Sequence, residues 1–381
     1  MARFKFVAVA GVAVLASGAA LADAWKPIGH SAEGERLARM ESSPQYDEGI
    51  FVNPQPMWNG VKESIGGLFR GSSYATPSEP LPVVFGDGSR FTEPPDSGLR
   101  VTWLGHSTQF IELDGATILT DPIFGGRASP FSWVGPATWY EPPIPLDAIP
   151  VPDLVLISHD HYDHLQFETI AAMADWDTRF VTPLGVGAHL EYWGVEADRI
   201  TELDWWEETQ IAGLTLAATP ARHASGRHAF DQNHTLWASY ALIGPDHRVW
   251  FSGDTGLFPA LDSIGALYGP FDLTMVEVGA YDRGWPDWHL GPEQAVDAHE
   301  RVRGRVFMPI HWGMMDLSLH GWTEPIERVV VATSERDIPL AAPRPGASFE
   351  VDTLAAWERW WPELPWQTVE EHPVVATGME D

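Results

Sequence analysis

The chain has 381 residues, room for one large domain or two ordinary ones, and 44% of them are apolar, enough for a packed core. Asp and Glu number 53 against 23 Lys and Arg, and the resulting charge of −30 repels phosphate backbones, which argues against a nucleic-acid partner. There is no cysteine, so a transition-metal site must be built from His and carboxylates.

In chain order, Arg3 and Lys5 precede an apolar run over 6–19 that ends in Ala20-Leu21-Ala22. This pattern predicts a signal peptide over 1–22, cleavage after Ala22 and a mature protein in the periplasm or cell envelope. Residues 23–98 are Pro-rich and read as an irregular arm, with one short helix expected over 57–69. From residue 99 short strands are expected over 101–104, 108–113 and 116–120, with turns at Gly105 and Asp114-Gly115. A long loop rich in Pro and aromatic residues spans 122–150.

Strands and helices then alternate. Strands are expected over 154–158, 179–182, 214–219, 236–243, 249–252, 273–278, 306–310 and 348–351. Helices are expected over 165–174, 186–193, 258–267 and 292–303. The mixture predicts α/β layers around sheets, in a domain over 99–351. The remainder, 352–381, carries seven acids, one Arg and Trp357, Trp360, Trp361 and Trp366. It reads as a short amphipathic helix followed by a loose end.

Chemistry concentrates in Ser158-His159-Asp160-His161-Tyr162-Asp163-His164, just past an expected strand. In extended backbone His159 and His161 face one side. A turn then lets Asp163 and His164 face back, so one loop can serve two adjacent metal ions. His223, Asp254 and His311 each follow a later expected strand and would converge on one sheet edge. Imidazole and carboxylate donors suit zinc or a similar ion, with iron and manganese left open. Ions in such a site lower the pKa of a water and polarise a phosphoryl or carbonyl oxygen.

These motifs, with Gly105-His106-Ser107, resemble the metallo-β-lactamase superfamily. Thr102-Trp-Leu-Gly-His-Ser-Thr, Leu119-Thr-Asp-Pro-Ile-Phe, Gly253-Asp-Thr-Gly and Ile310-His-Trp-Gly are similar to one branch of it. That branch is the N-acyl-phosphatidylethanolamine-hydrolysing phospholipase D family and its bacterial relatives. The resemblance implies an αββα sandwich, here with an N-terminal arm. It implies two Zn2+ per chain, His159, His161 and His223 on one, Asp163, His164 and His311 on the other, and Asp254 bridging. It casts Asp254 and Asp163 as catalytic, His106 and Asp121 as groups that orient ligands, and His289 as a residue near substrate.

The resemblance implies a phosphodiesterase acting on a phospholipid, with hydroxide on the ions as nucleophile. The loop after Arg127 has no further basic residue before Pro150, a poor phosphate clamp. Two alternatives therefore stand: a lactone or other ester or amide hydrolase on the same site, and a non-catalytic metal-binding envelope protein. The expected partner is a lipid or another small molecule, with peripheral membrane contact and a homodimer left open.

Overall fold

The computed structural model describes residues 25–58 and 71–379. The expected signal peptide lies outside the described residues, as does nearly all of the helix expected over 57–69.

The arm contains a helix, α1 (Gly34–Glu41), and a two-residue hairpin of β1 (Tyr46–Asp47) and β2 (Ile50–Phe51). It is not loosely laid on the surface. Phe51 is fully buried. Arg227 donates from Nε and Nη2 to Pro27 O at 2.9 and 2.7 Å, and from Nη1 to Asp160 O at 2.5 Å. One guanidinium thus ties the arm to the His-rich loop.

Two mixed sheets follow. The first begins with β3 (Leu99–Gly105), β4 (Thr108–Leu113) and β5 (Ala116–Thr120), all antiparallel. It continues in parallel through β6 (Leu154–Leu156), β7 (Arg179–Pro183) and β8 (Ile200–Leu203). The second comprises β9 (Glu208–Ile211), β10 (Leu214–Thr219), β11 (Ser239–Ile243), β12 (Arg248–Phe251), β13 (Phe271–Glu277) and β14 (Gly304–Ile310). It is antiparallel from β9 to β12 and parallel from β12 to β14. Finally β15 (Ser348–Glu350) returns to pair with β3, closing the first sheet at seven strands.

Strand alternation builds the layers. Ile111, Ile118, Leu154, Leu156 and Val181 join the core shared with the second sheet. Their neighbours Phe110, Leu119, Val155 and Phe180 point the other way, into a cluster with Ile170 and Met173 of α2 (Phe167–Met173) and Leu190 of α3 (Gly187–Tyr192). On the far side, α4 (Leu261–Leu267) contacts α5 (Pro292–Arg301), and α5 packs on β13 and β14 and against α6 (Glu324–Glu335). Helices therefore cover both outer faces of two stacked sheets, an α/β arrangement.

Three expectations need correction. Helix α1 over Gly34–Glu41 was not expected in the arm. Nor was α6, the longest helix described, although Thr323-Glu324-Pro325 is a helix-start pattern with Pro in the first turn. The tail holds no helix among its described residues. Pro362, Pro365 and Pro373 lack an N–H and push their predecessors to extended backbone. Nor is it a loose end. Trp360 and Trp361 are buried, Trp312 stacks on Trp360 at 5.2 Å, and Trp361 Nε1 donates to Glu327 Oε1 at 3.0 Å.

Candidate metal centre

Strands β10, β12, β13 and β14 all end at one edge of the second sheet, and β6 ends beside it. His223, Asp254 and His311 follow β10, β12 and β14; His159–His164 follow β6. Convergence at this edge is why residues far apart in the chain meet. Three residues here, His106, Asp121 and His311, have positive φ angles of 51°, 31° and 63°. Such backbone persists only where the surroundings hold it, and it clusters at functional sites. Gly253, at φ 54°, is required: a Cβ there would meet Ser158 Cβ at 2.6 Å. That close approach seats the Asp254 turn against the His-rich loop.

Asp121 anchors this loop. Its Oδ1 accepts the Ser158 N–H at 2.7 Å, and its Oδ2 accepts Ser158 Oγ at 2.6 Å and His164 Nδ1 at 2.7 Å. With its proton committed, Ser158 Oγ accepts His159 Nδ1–H at 2.9 Å. His223 Nδ1 donates to Trp288 O at 2.8 Å. Each outer ring nitrogen is thereby a donor to the protein, and each inner Nε2 presents a lone pair. That is the second-sphere pattern of metal-binding histidines.

The inner atoms form two overlapping groups. His161 Nδ1 lies 2.8 Å from His159 Nε2 and 3.2 Å from His223 Nε2. Two donors on one tetrahedral ion with bonds of about 2.0–2.1 Å sit roughly 3.3 Å apart, so the trio fits a metal ion. In the second group Asp163 Oδ2 is 3.2 Å from His311 Nε2, 3.5 Å from His164 Nε2 and 3.1 Å from His106 Nε2. Asp254 Oδ2 stands between the groups. It is 3.1 Å from His311 Nε2, 3.2 Å from His164 Nε2, 3.7 Å from His223 Nε2 and 3.9 Å from His159 Nε2.

Electrostatics and unsatisfied atoms test whether these residues fit a cation. Burial and the neighbouring imidazoles hold His159 well below its ordinary pKa; burial does the same for His223. Burial pushes His106 down to about 3. His164 and His311 go the other way: burial opposes their charge, but Asp254 and Asp163 raise both, His311 to about 10. The carboxylates draw positive charge to the place an ion would take. Nε2 of His164 and Oδ1 of Asp254 are buried without a hydrogen-bond partner, a costly state that an ion relieves. The residues present fit a metal pair.

All ten residues named from the sequence lie at or against this centre. His106 touches Asp163, Asp121 holds His164, and His289 Nδ1 is 3.8 Å from Asp254 Oδ2. Side chains of His159, His164, His223, Asp254 and His311 are 0–2% exposed, against 15% for Asp163 and His289. Asp163 and His289 mark the open side of the cluster. Glu277, at the end of β13, was missed. It is fully buried and its Oε2 is 2.7 Å from His289 Nδ1. It ends a strand that also carries Asp272 and Thr274, so nothing in the sequence set it apart.

Residues 116–312 match the β-lactamase superfamily domain, about half of the chain. An uncharacterised protein of Mycobacterium tuberculosis (strain ATCC 25618 / H37Rv) is 42% identical over 379 residues, 95% of this chain and 100% of that protein. N-acyl-phosphatidylethanolamine-hydrolyzing phospholipase D 1 of Caenorhabditis elegans is 37% identical over 230 residues, 57% of this chain and 65% of its own length. Among solved structures, the metallo hydrolase Igni18 of Ignicoccus hospitalis shares the fold, with a TM-score of 0.51 and 23% identity over 66% of this chain and 98% of its own. With the fold and the His/Asp cluster, these matches show that the chain belongs to the β-lactamase superfamily and is a metal-dependent hydrolase of the metallo-β-lactamase fold.

Proposed function

We propose that the chain is a zinc-dependent phosphodiesterase of the phospholipase D type, acting on a phospholipid such as N-acyl-phosphatidylethanolamine. The observation that carries the two-ion reading is Asp254 Oδ2, 3.1–3.9 Å from inner nitrogens of both donor groups. His159, His161 and His223 would hold one ion, Asp163, His164 and His311 the other, with Asp254 shared. Bound there, the ions polarise a phosphoryl oxygen and make water a stronger nucleophile. The protein's own part is to hold six imidazole and carboxylate side chains rigidly around that pair and to keep Asp254 ionised between them. His289, on the open side, is placed to contact substrate.

A small crevice of mixed lining reaches His311, with Trp139, Met315, Leu317 and Trp322 beside Asp316, Ser318 and His320. Trp139 comes from the aromatic loop over 122–150. The C. elegans relative, an N-acyl-phosphatidylethanolamine-hydrolyzing phospholipase D by name, supports a phospholipid substrate.

One observation favours the second reading, a lactone or other ester or amide hydrolase. Arg127 donates from Nε to Ser132 O at 3.2 Å and from Nη1 to Gly135 O at 2.7 Å, so it braces its own loop rather than a phosphate. Turnover of N-acyl-phosphatidylethanolamine against a lactone and a thioester, with metal content measured on the same sample, separates the two. Activity confined to the carbonyl substrates would replace the phosphodiesterase reading. We also propose export, on the pattern of residues 1–22; N-terminal sequencing of the envelope-associated protein tests for Asp23 as the first residue.

A further inference from the structure

Glu277 lies behind the metal centre, and the two-ion reading gives it no role. Its carboxyl group is held by the backbone: Oε1 accepts Thr255 N–H at 2.5 Å and Leu290 N–H at 3.4 Å. Thr255 follows Asp254, and Leu290 follows His289. A single buried side chain therefore links the turn that carries Asp254 to the loop that carries His289. Its other oxygen, Oε2, meets His289 Nδ1 at 2.7 Å. The same oxygen is 4.0 Å from His311 Nδ1, beyond hydrogen-bond range. Among these neighbours, His289 is the side chain it bonds.

This contact decides what His289 can present. An imidazole has two polar atoms, and one is committed to Glu277. The ring cannot flip without breaking a bond to a carboxyl group that is fully buried, and a broken bond would strand it. Only Nε2 remains to meet a ligand, and the His289 side chain is 15% exposed on the open side of the site.

We propose that Glu277 is a positioning residue: it locks the His289 ring in one orientation so that Nε2, and not Nδ1, faces the reacting group of the substrate. The substrate contact rests on the hydrolase reading above; the locked ring does not. The arrangement follows the general logic in which a buried carboxylate orients an imidazole that does the contacting.

The test uses the zinc-loaded full chain with 15N-labelled histidine. The His289 signal is assigned by its loss in His289→Gln. A proton bonded to Nδ1 should be visible, shifted downfield and protected from exchange, and should vanish in Glu277→Gln. Glu277→Gln should retain its metal and lose about 10- to 100-fold in kcat with KM nearly unchanged. Adding Glu277→Gln to His289→Gln should cost little more, because both changes remove one function. Additive losses in the double variant would overturn the proposal. So would loss of metal from a folded Glu277→Gln, which would make Glu277 a ligand. If Glu277→Gln does not fold, the wild-type spectrum decides: a His289 ring without the protected Nδ1 proton rules the lock out. If the wild-type protein hydrolyses none of the substrates named above, the proposed substrate class fails while the spectrum still decides the lock.

Discussion

Asp121 Oδ2 receives two bonds at once, from His164 Nδ1 at 2.7 Å and from Ser158 Oγ at 2.6 Å. One carboxylate thus orients His164 directly and His159 through Ser158, and so reaches into both donor groups. Asp121→Asn replaces one acceptor oxygen with an NH2 group, which cannot accept either proton. Metal affinity should fall about 10- to 100-fold while the fold persists. Titration with a competing chelator measures it; wild-type affinity in a folded Asp121→Asn would mean that the carboxylate does not orient these ligands.

Away from the centre, Asp114 Oδ1 bonds His247 Nδ1 at 2.6 Å, and Asp114 Oδ2 accepts the backbone N–H groups of Asp246 and His247, both at 2.9 Å. Burial opposes charge on each, yet His247 is raised by Asp114 and Asp114 is lowered by His247 and the backbone donors. A raised His contributes fully below its unfolded pKa and loses the contribution as pH rises through the folded value. A lowered Asp contributes above its unfolded pKa and loses it as pH falls through the folded one. The pair therefore stabilises most between about pH 4 and 6.5. His247→Gln should cost about 1 kcal/mol in that window, after allowance for solvent screening, and less at pH 9. Denaturant melts at pH 5.5 and 9 check it; an equal loss at both would exclude the ion pair.

The tail supplies a test of packing. Trp360 lies against Trp103, Trp312 and Trp322 at ring distances of 6.2, 5.2 and 6.4 Å. Trp360→Ala leaves a cavity among large rigid rings that cannot all collapse into it, and should cost about 3–5 kcal/mol. Thermal unfolding measures this. A change below 1 kcal/mol would mean that the tail is not part of the core.

The His-rich loop and the distant residues that meet it were legible as a cluster because their chemistry is local. Three His and two Asp within six positions have few other uses, and each later candidate follows a strand. The strands from Leu99 to Thr120 were legible for a similar reason, since alternation and turn residues agree. Glu277 was not legible, because one acid at a strand end looks like any solvated residue until Thr255, His289 and Leu290 are brought to it. Helix α1 and the tail failed for the opposite reason. Their local signals are weak or misleading, and long-range contacts decide them: Arg36 Nε with Glu202 Oε2 at 2.7 Å, and Trp361 with Glu327.

The sharpest test of the centre is Asp254. Its position after β12 and the glycine at 253 let the carboxylate approach both donor groups, and Oδ1 lacks any protein partner. If two ions share this group, its negative charge keeps them close despite their mutual repulsion. Asp254→Asn preserves the shape and removes that charge. Turnover should drop by a factor on the order of a hundred or more, as when a key electrostatic group is removed from a reaction centre. Metal content should fall from about two ions per chain toward one, and the circular dichroism spectrum should stay close to wild type. A chelator should abolish activity in the wild-type chain, and added zinc should restore it. The measurements are kcat on N-acyl-phosphatidylethanolamine, elemental analysis and circular dichroism on the same preparation. A folded Asp254→Asn that holds two ions and turns over like wild type would show that the two donor groups do not depend on a shared carboxylate.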